Sequence, residues 1–195
     1  DHLDHRVIID THSWNGGDKR VDPTTEPLTG ENGGWGYAIR ANPRNANDGE
    51  DMWRELASKY PNVTFTFNGH NFLDGAETVV SETAGGNDLY QIFVNYQNGI
   101  QGEITGAGDP ALGGRGGNGA FRLVVIDPDN DRLTTHTKFT GLDTFFERVD
   151  HQEVFEDVAL EAPEQIAIAK AGGTETVQGP TVFFFQAEDG IRDVR

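Results

Sequence analysis

Two histidines stand directly after hydrophobic, strand-like runs. Arg6-Val7-Ile8-Ile9-Asp10 leads into Thr11-His12, and Val63-Thr64-Phe65-Thr66-Phe67 leads into Asn68-Gly69-His70. A side chain at the carboxyl end of a buried strand is rigidly held and faces the crevice where open α/β sheets bind ligands. Imidazole is the commonest protein ligand for a catalytic divalent ion, so the pair suits one shared metal. Gly69, just before His70, lets the backbone turn sharply and lets a ligand come close. A histidine after a strand also serves as an ordinary hydrogen-bonded or surface residue, and the pattern alone leaves that open.

The elements that position these residues follow from local pattern. Between the two runs, Glu50 to Lys59 reads as a helix, with Asp48 as N-cap, acidic residues in the first turn and Lys59 in the last. Met52, Trp53, Leu56 and Tyr60 share one face at helical spacing and are expected in the core; Pro61 stops the helix. Trp14 to Asp48 is a long polar stretch that either walls a cleft or is an excursion pinned to the sheet by its aromatics. As a cleft wall it would offer Trp14, Trp35 and Tyr37 as contact surface for a ligand.

Residues 78–82, 90–97, 121–126 and 133–139 read as strands. Asp127-Pro128-Asp129-Asn130-Asp131 has Arg132 and Lys138 where a calcium loop needs Gly and Glu, so a hairpin turn is expected. Gly113 to Gly119 leads into a strand, whereas phosphate loops open a helix, and it reads as a plain loop. His2, His5, His136 and His151 carry no ligand pattern.

Composition narrows the partners. The 195 residues have a formal net charge of −17 and no cysteine. Such acidity repels nucleic acid and anionic membranes, and the missing thiols exclude disulfides and cysteine nucleophiles. No apolar run approaches the roughly 20 residues of a membrane span. A soluble secreted (extracellular or periplasmic) protein and a salt-adapted one both fit the charge, which does not choose between them; nothing indicates the oligomeric state.

In their order and spacing, the segments Arg6–His12, Met52–Ala57 and Pro61–His70 resemble the C-terminal half of a calcineurin-like metallophosphoesterase domain. Tyr90–Gln97 and Gly119–Ile126 resemble the strands that close that domain in secreted bacterial members, so the likeness spans roughly residues 5 to 145. The resemblance implies an α/β fold, the C-terminal half of a four-layer α/β/β/α sandwich, mostly strands with one clear helix. It implies a phosphate mono- or diester substrate and two divalent ions (manganese, iron or zinc) in the parent, which clamp phosphoryl oxygens and acidify a water. His12 and His70 would hold one of them, so this fragment carries at most one partial site. Asn71 and Trp14 would contact substrate.

This chain departs from the family pattern in two ways. Phe72 stands where the family has a second histidine, and the Asp-x-His, Gly-Asp and Gly-Asn-His-Asp motifs that precede this segment in the family do not occur before Arg6. The reading is therefore of a fragment, inactive alone, with exposed strand edges that favour aggregation. Residues 1–149 would form the half-domain. Residues 150–182 would be a linker with a possible first strand of a domain resembling the polycystic-kidney-disease type. Residues 183–195 resemble a translated sequencing-adapter read-through. The alternative function is a non-catalytic extracellular binding module on the same scaffold, favoured by Phe72. A third class, calcium-dependent adhesion, rests only on the acidic loops.

Overall fold

The computed structural model describes residues 6–22, 24, 47–71, 75–96, 120–140, 144–145, 152–160, 166–170, 173–177 and 181–186. Phe72, Trp35, Tyr37, Gly113–Gly119, His2, His5 and His151, all weighed above, lie outside these residues.

In chain order the elements begin with strand β1 (Arg6–Asp10), the two-residue strands β2 (Asn15–Gly16) and β3 (Lys19–Arg20), and helix α1 (Gly49–Glu55). Strands β4 (Val63–Asn68), β5 (Ala76–Glu82), β6 (Asp88–Val94), β7 (Ala120–Asp127) and β8 (Arg132–Phe139) follow. The last are β9 (Thr144–Phe145), β10 (Gln152–Phe155), β11 (Ile166–Lys170), β12 (Gly173–Val177) and β13 (Thr181–Gln186). The chain is thus mixed α/β, mostly strands with one α-helix among the described residues.

A six-stranded sheet has the order β12-β11-β1-β4-β6-β5, and its central strands β11, β1, β4 and β6 run parallel. Parallel strands need cover on both faces, and all six residues of β4 are buried. One face offers Ile8, Phe65, Phe67, Tyr90, Ile92 and Val94 to a core shared with Val124, Ile126 and Leu133 of the second sheet. The other face carries α1: Met52 and Trp53 pack with Trp14, Ala57, Val63 and Leu89. The second sheet, β10-β8-β7-β13 with β9 on β8, is antiparallel throughout.

Several local expectations hold. Asp48 caps α1, its side chain accepting the Asp51 amide at 2.8 Å. The turn Asp127–Asp131 joins β7 to β8 through a short 3-10 turn, with Asp131 left-handed at φ 46. The helix itself is shorter than expected. It ends at Glu55, and a 3-10 turn over Ala57–Lys59 rotates the rest of the stripe off the core face. Leu56 and Tyr60 are consequently 43% and 47% exposed, and Ala57 takes the buried place.

Strands β11 and β12 belong to the first sheet and β13 to the second. β11 lies parallel beside β1, with Ile8 opposite Ile168, and β12 folds back on β11. β13 pairs along the length of β7, from Thr181 opposite Ile126 to Gln186 opposite Phe121.

Candidate functional site

β1 and β4 are adjacent and parallel, so their carboxyl ends emerge side by side. The segments beyond them stay laced together. Thr11 N donates to Phe67 O at 3.0 Å and Gly69 N to His12 O at 3.2 Å. Asn15 N donates to Asn68 Oδ1 at 2.9 Å, and Asn71 Nδ2 donates to Asn15 O at 2.6 Å.

This lacing brings the two predicted histidines into contact. His12 Nε2 lies 2.9 Å from His70 Nδ1, and the rings are 4.5 Å apart at 45°. His70 occupies the left-handed region at φ 66, uncommon for a residue with a Cβ. Gly69 before it has no room for a side chain: a Cβ there would sit 2.7 Å from the Val94 carbonyl oxygen of β6. That contact is a physical reason for the glycine beside the sharp turn and the room for a ligand that the sequence suggests.

Two ring nitrogens so placed either share one proton or share one cation. Nitrogens bound at about 2.1 Å to a single ion are about 3.0 Å apart at a right angle and about 3.4 Å apart at the tetrahedral angle. The separation of 2.9 Å fits the right-angle arrangement. Among the described residues, no group of three or more His, Cys, Asp or Glu gathers around a common point.

Asn71, expected to touch substrate, is fully buried and already uses its side-chain N–H on Asn15. Trp14 also differs from its expected role. Its ring is fully buried against α1 and the sheet, and its indole N–H donates to Gln91 Oε1 at 3.0 Å. Hydrophobic burial and that hydrogen bond hold the ring inward, so it offers no surface to a ligand in this conformation.

Residues the sequence reading passed over also belong here. Ser13 Oγ, both polar side-chain atoms of Asn15, and Asn71 Oδ1 are buried with no hydrogen-bond partner among the described residues. Buried polar atoms are nearly always paired, and exceptions mark strain, chemistry or an ion or water. All three residues lie within three positions of His12 or His70. The only signal for them was the pair of Asn-Gly steps, Asn15-Gly16 and Asn68-Gly69, which mark turns after strands.

No family model, no curated protein and no solved structure matches the chain. What the fold and geometry define is a class of site: two imidazoles converging at the ends of adjacent parallel strands, in a sheet covered by a helix on one face and by a second sheet on the other.

Proposed function

We propose that the chain is part of a metal-dependent phosphoesterase, the C-terminal half of a four-layer α/β/β/α sandwich, and that His12 and His70 bind one divalent ion. The observation that carries this reading is the 2.9 Å approach of His12 Nε2 to His70 Nδ1. Its support is fourfold: the strand-end position of both rings, their separation, the left-handed backbone of His70, and the unpaired buried oxygens close by. Strained backbone of this kind collects at functional sites.

In such an enzyme a bound ion pair supplies Lewis acidity toward a phosphate ester. The residues of this chain do the holding. His12 and His70 would each present one ring nitrogen, 2.9 Å apart, from the ends of two adjacent parallel strands. Manganese, iron and zinc each accept imidazole nitrogen, so any of the three would suit the pair. Secretion is the location that the family resemblance implies, and the acidity is compatible with it.

A non-catalytic binding module is the second reading. The same 2.9 Å contact favours it, because two neutral imidazoles at that distance form a complete hydrogen bond by themselves.

Titration of the purified chain with manganese, monitored by isothermal calorimetry, decides between them. One ion per chain, lost in His12→Ala and in His70→Ala, is the expected result. A chain that takes up no ion, or whose His70→Ala variant binds as well, overturns the metal reading. Extending the gene upstream then tests the phosphoesterase assignment, through the presence of Asp-x-His, Gly-Asp and Gly-Asn-His-Asp motifs.

A further inference from the structure

We propose that Asn71 is the positioning residue of the histidine pair, bracing from both main chain and side chain the tight turn that keeps His70 facing His12. This rests on reading the two histidines as ligands of one ion.

The turn is unusual. Asn71 N donates to Gly69 O at 2.8 Å, which closes a three-residue loop with His70 at its centre. With His70 at φ 66 this is the rare, strained form of the γ-turn. A residue bearing a Cβ keeps that conformation only where its surroundings impose it. Relaxation toward negative φ would swing the imidazole, because the ring direction follows the backbone at His70.

Asn71 supplies the restraint in two ways. Its main-chain N–H closes the turn, and its fully buried side chain reaches Asn15 O at 2.6 Å. Asn15 is itself fixed, its N–H donating to Asn68 Oδ1 at the end of β4. The segment after His12 and the segment after β4 are therefore joined through Asn71 on one side of the histidines. On the other side Gly69 is pressed against the Val94 carbonyl, which blocks retreat of the turn toward β6.

Asn71→Ala keeps the main-chain bond and removes the tie to Asn15, so His70 gains freedom without losing its own nitrogen. Asn71→Asp is the isosteric counterpart and sets an oxygen against the Asn15 carbonyl. The test uses cobalt(II) with the full chain, following the visible ligand-field bands. The wild type is expected to bind one cobalt. Both variants are expected to bind at least tenfold more weakly, with altered bands. Ile126→Val, a mild truncation in the core of the second sheet, controls for stability and is expected to bind as wild type does.

Cobalt binding with unchanged affinity and bands in Asn71→Ala overturns this inference and leaves the metal reading standing. A wild-type chain that takes up no cobalt overturns the metal reading and this inference with it. If both Asn71 variants fail to fold, the wild-type side-chain amide carries the test by NMR. Its Nδ2 protons are expected to be protected from exchange and to shift on addition of zinc. Unprotected protons with no shift overturn the inference.

Discussion

The Trp14 indole N–H donates to Gln91 Oε1 at 3.0 Å, deep between α1 and the first sheet. The same oxygen accepts Arg20 Nη1 at 3.1 Å, while Gln91 Nε2 donates to Ser81 Oγ at 2.9 Å and to Val79 O at 3.3 Å. One buried amide thus ties the segment after His12, the β2–β3 ribbon and edge strand β5 to the middle of β6. Arg20 carries the link outward: its Nε donates to Glu50 at 2.7 Å and its guanidinium lies 4.3 Å from the Trp53 ring centre.

Gln91→Leu should therefore be costly although it is nearly isosteric and more apolar. It leaves the buried Trp14 N–H without its acceptor, whereas the part-exposed Arg20 Nη1 keeps Ser81 Oγ at 3.1 Å; a stranded buried donor costs about 1–3 kcal/mol. A loss of about 2 kcal/mol in a urea unfolding series is expected. A variant within 0.5 kcal/mol or so of wild type would show that the network is not coupled as described.

Asp48 makes a prediction about pH. Burial pushes its carboxyl above the usual carboxylate range, opposed by the hydrogen bond from the Asp51 amide and assisted by the charges of Asp51 and Asp22. A folded-state pKa above the unfolded one means the native chain binds the proton more tightly. The group therefore adds stability as pH falls through its raised pKa, and at neutral pH its ionised form is a net cost. Asn caps a helix as well as Asp does. Asp48→Asn should be at least as stable as wild type at pH 7, with any advantage fading in acid, whereas Asp48→Ala loses about 1 kcal/mol by removing the cap. Chemical denaturation at neutral and acid pH checks both, and an Asp48→Asn chain weaker than wild type at pH 7 contradicts the argument.

How much of this was legible depended on range. The Asp48 cap, the Asp127–Asp131 turn and the two strands ending on His12 and His70 are written in neighbouring residues, and each was readable. Leu56 and Tyr60 were misplaced because a periodic stripe predicts a face only while the helix continues, and the change to a 3-10 turn after Glu55 is a tertiary outcome. Whether Trp14 walls a cleft or pins its segment to the sheet stayed open in the sequence because its partner Gln91 lies 77 residues away. The ties of Asn15 and Asn71 were invisible for the same reason: their bonds span 53 and 56 residues. The parallel seat of β11 beside β1 likewise has no local signature, since Ile166–Lys170 is apolar enough for any covered strand.

Gly69→Ala tests whether the close approach at the end of β4 matters to the pair. The added methyl would meet the Val94 carbonyl oxygen at 2.7 Å, and backbone rather than a flexible side chain must give way. Overpacking of this sort typically costs about 1–3 kcal/mol. If His12 and His70 bind one ion as proposed, the displaced turn should also lower divalent-ion affinity. Calorimetric titration alongside thermal unfolding checks the two together; a destabilised chain with undiminished affinity would separate the glycine from the site.

Arg122 and Glu153 pose the sharpest test of what holds the two sheets together. Arg122 is fully buried in β7, and its Nη2 contacts Glu153 of β10, Thr135 Oγ1 of β8 at 2.8 Å and Thr78 Oγ1 of β5 at 3.3 Å. Thr78 belongs to the first sheet, so this polar cluster crosses the core. Removing one member of a buried ion pair strands the other charge and typically costs about 3–5 kcal/mol. Replacing both by apolar residues of similar size removes the desolvation cost along with the attraction, and is often neutral. Glu153→Leu and Arg122→Met should each unfold at markedly lower urea concentration, whereas the double variant should recover most of that loss. A double-mutant cycle measures the coupling directly. Additive losses would mean that the guanidinium is held by the threonines rather than by the carboxylate.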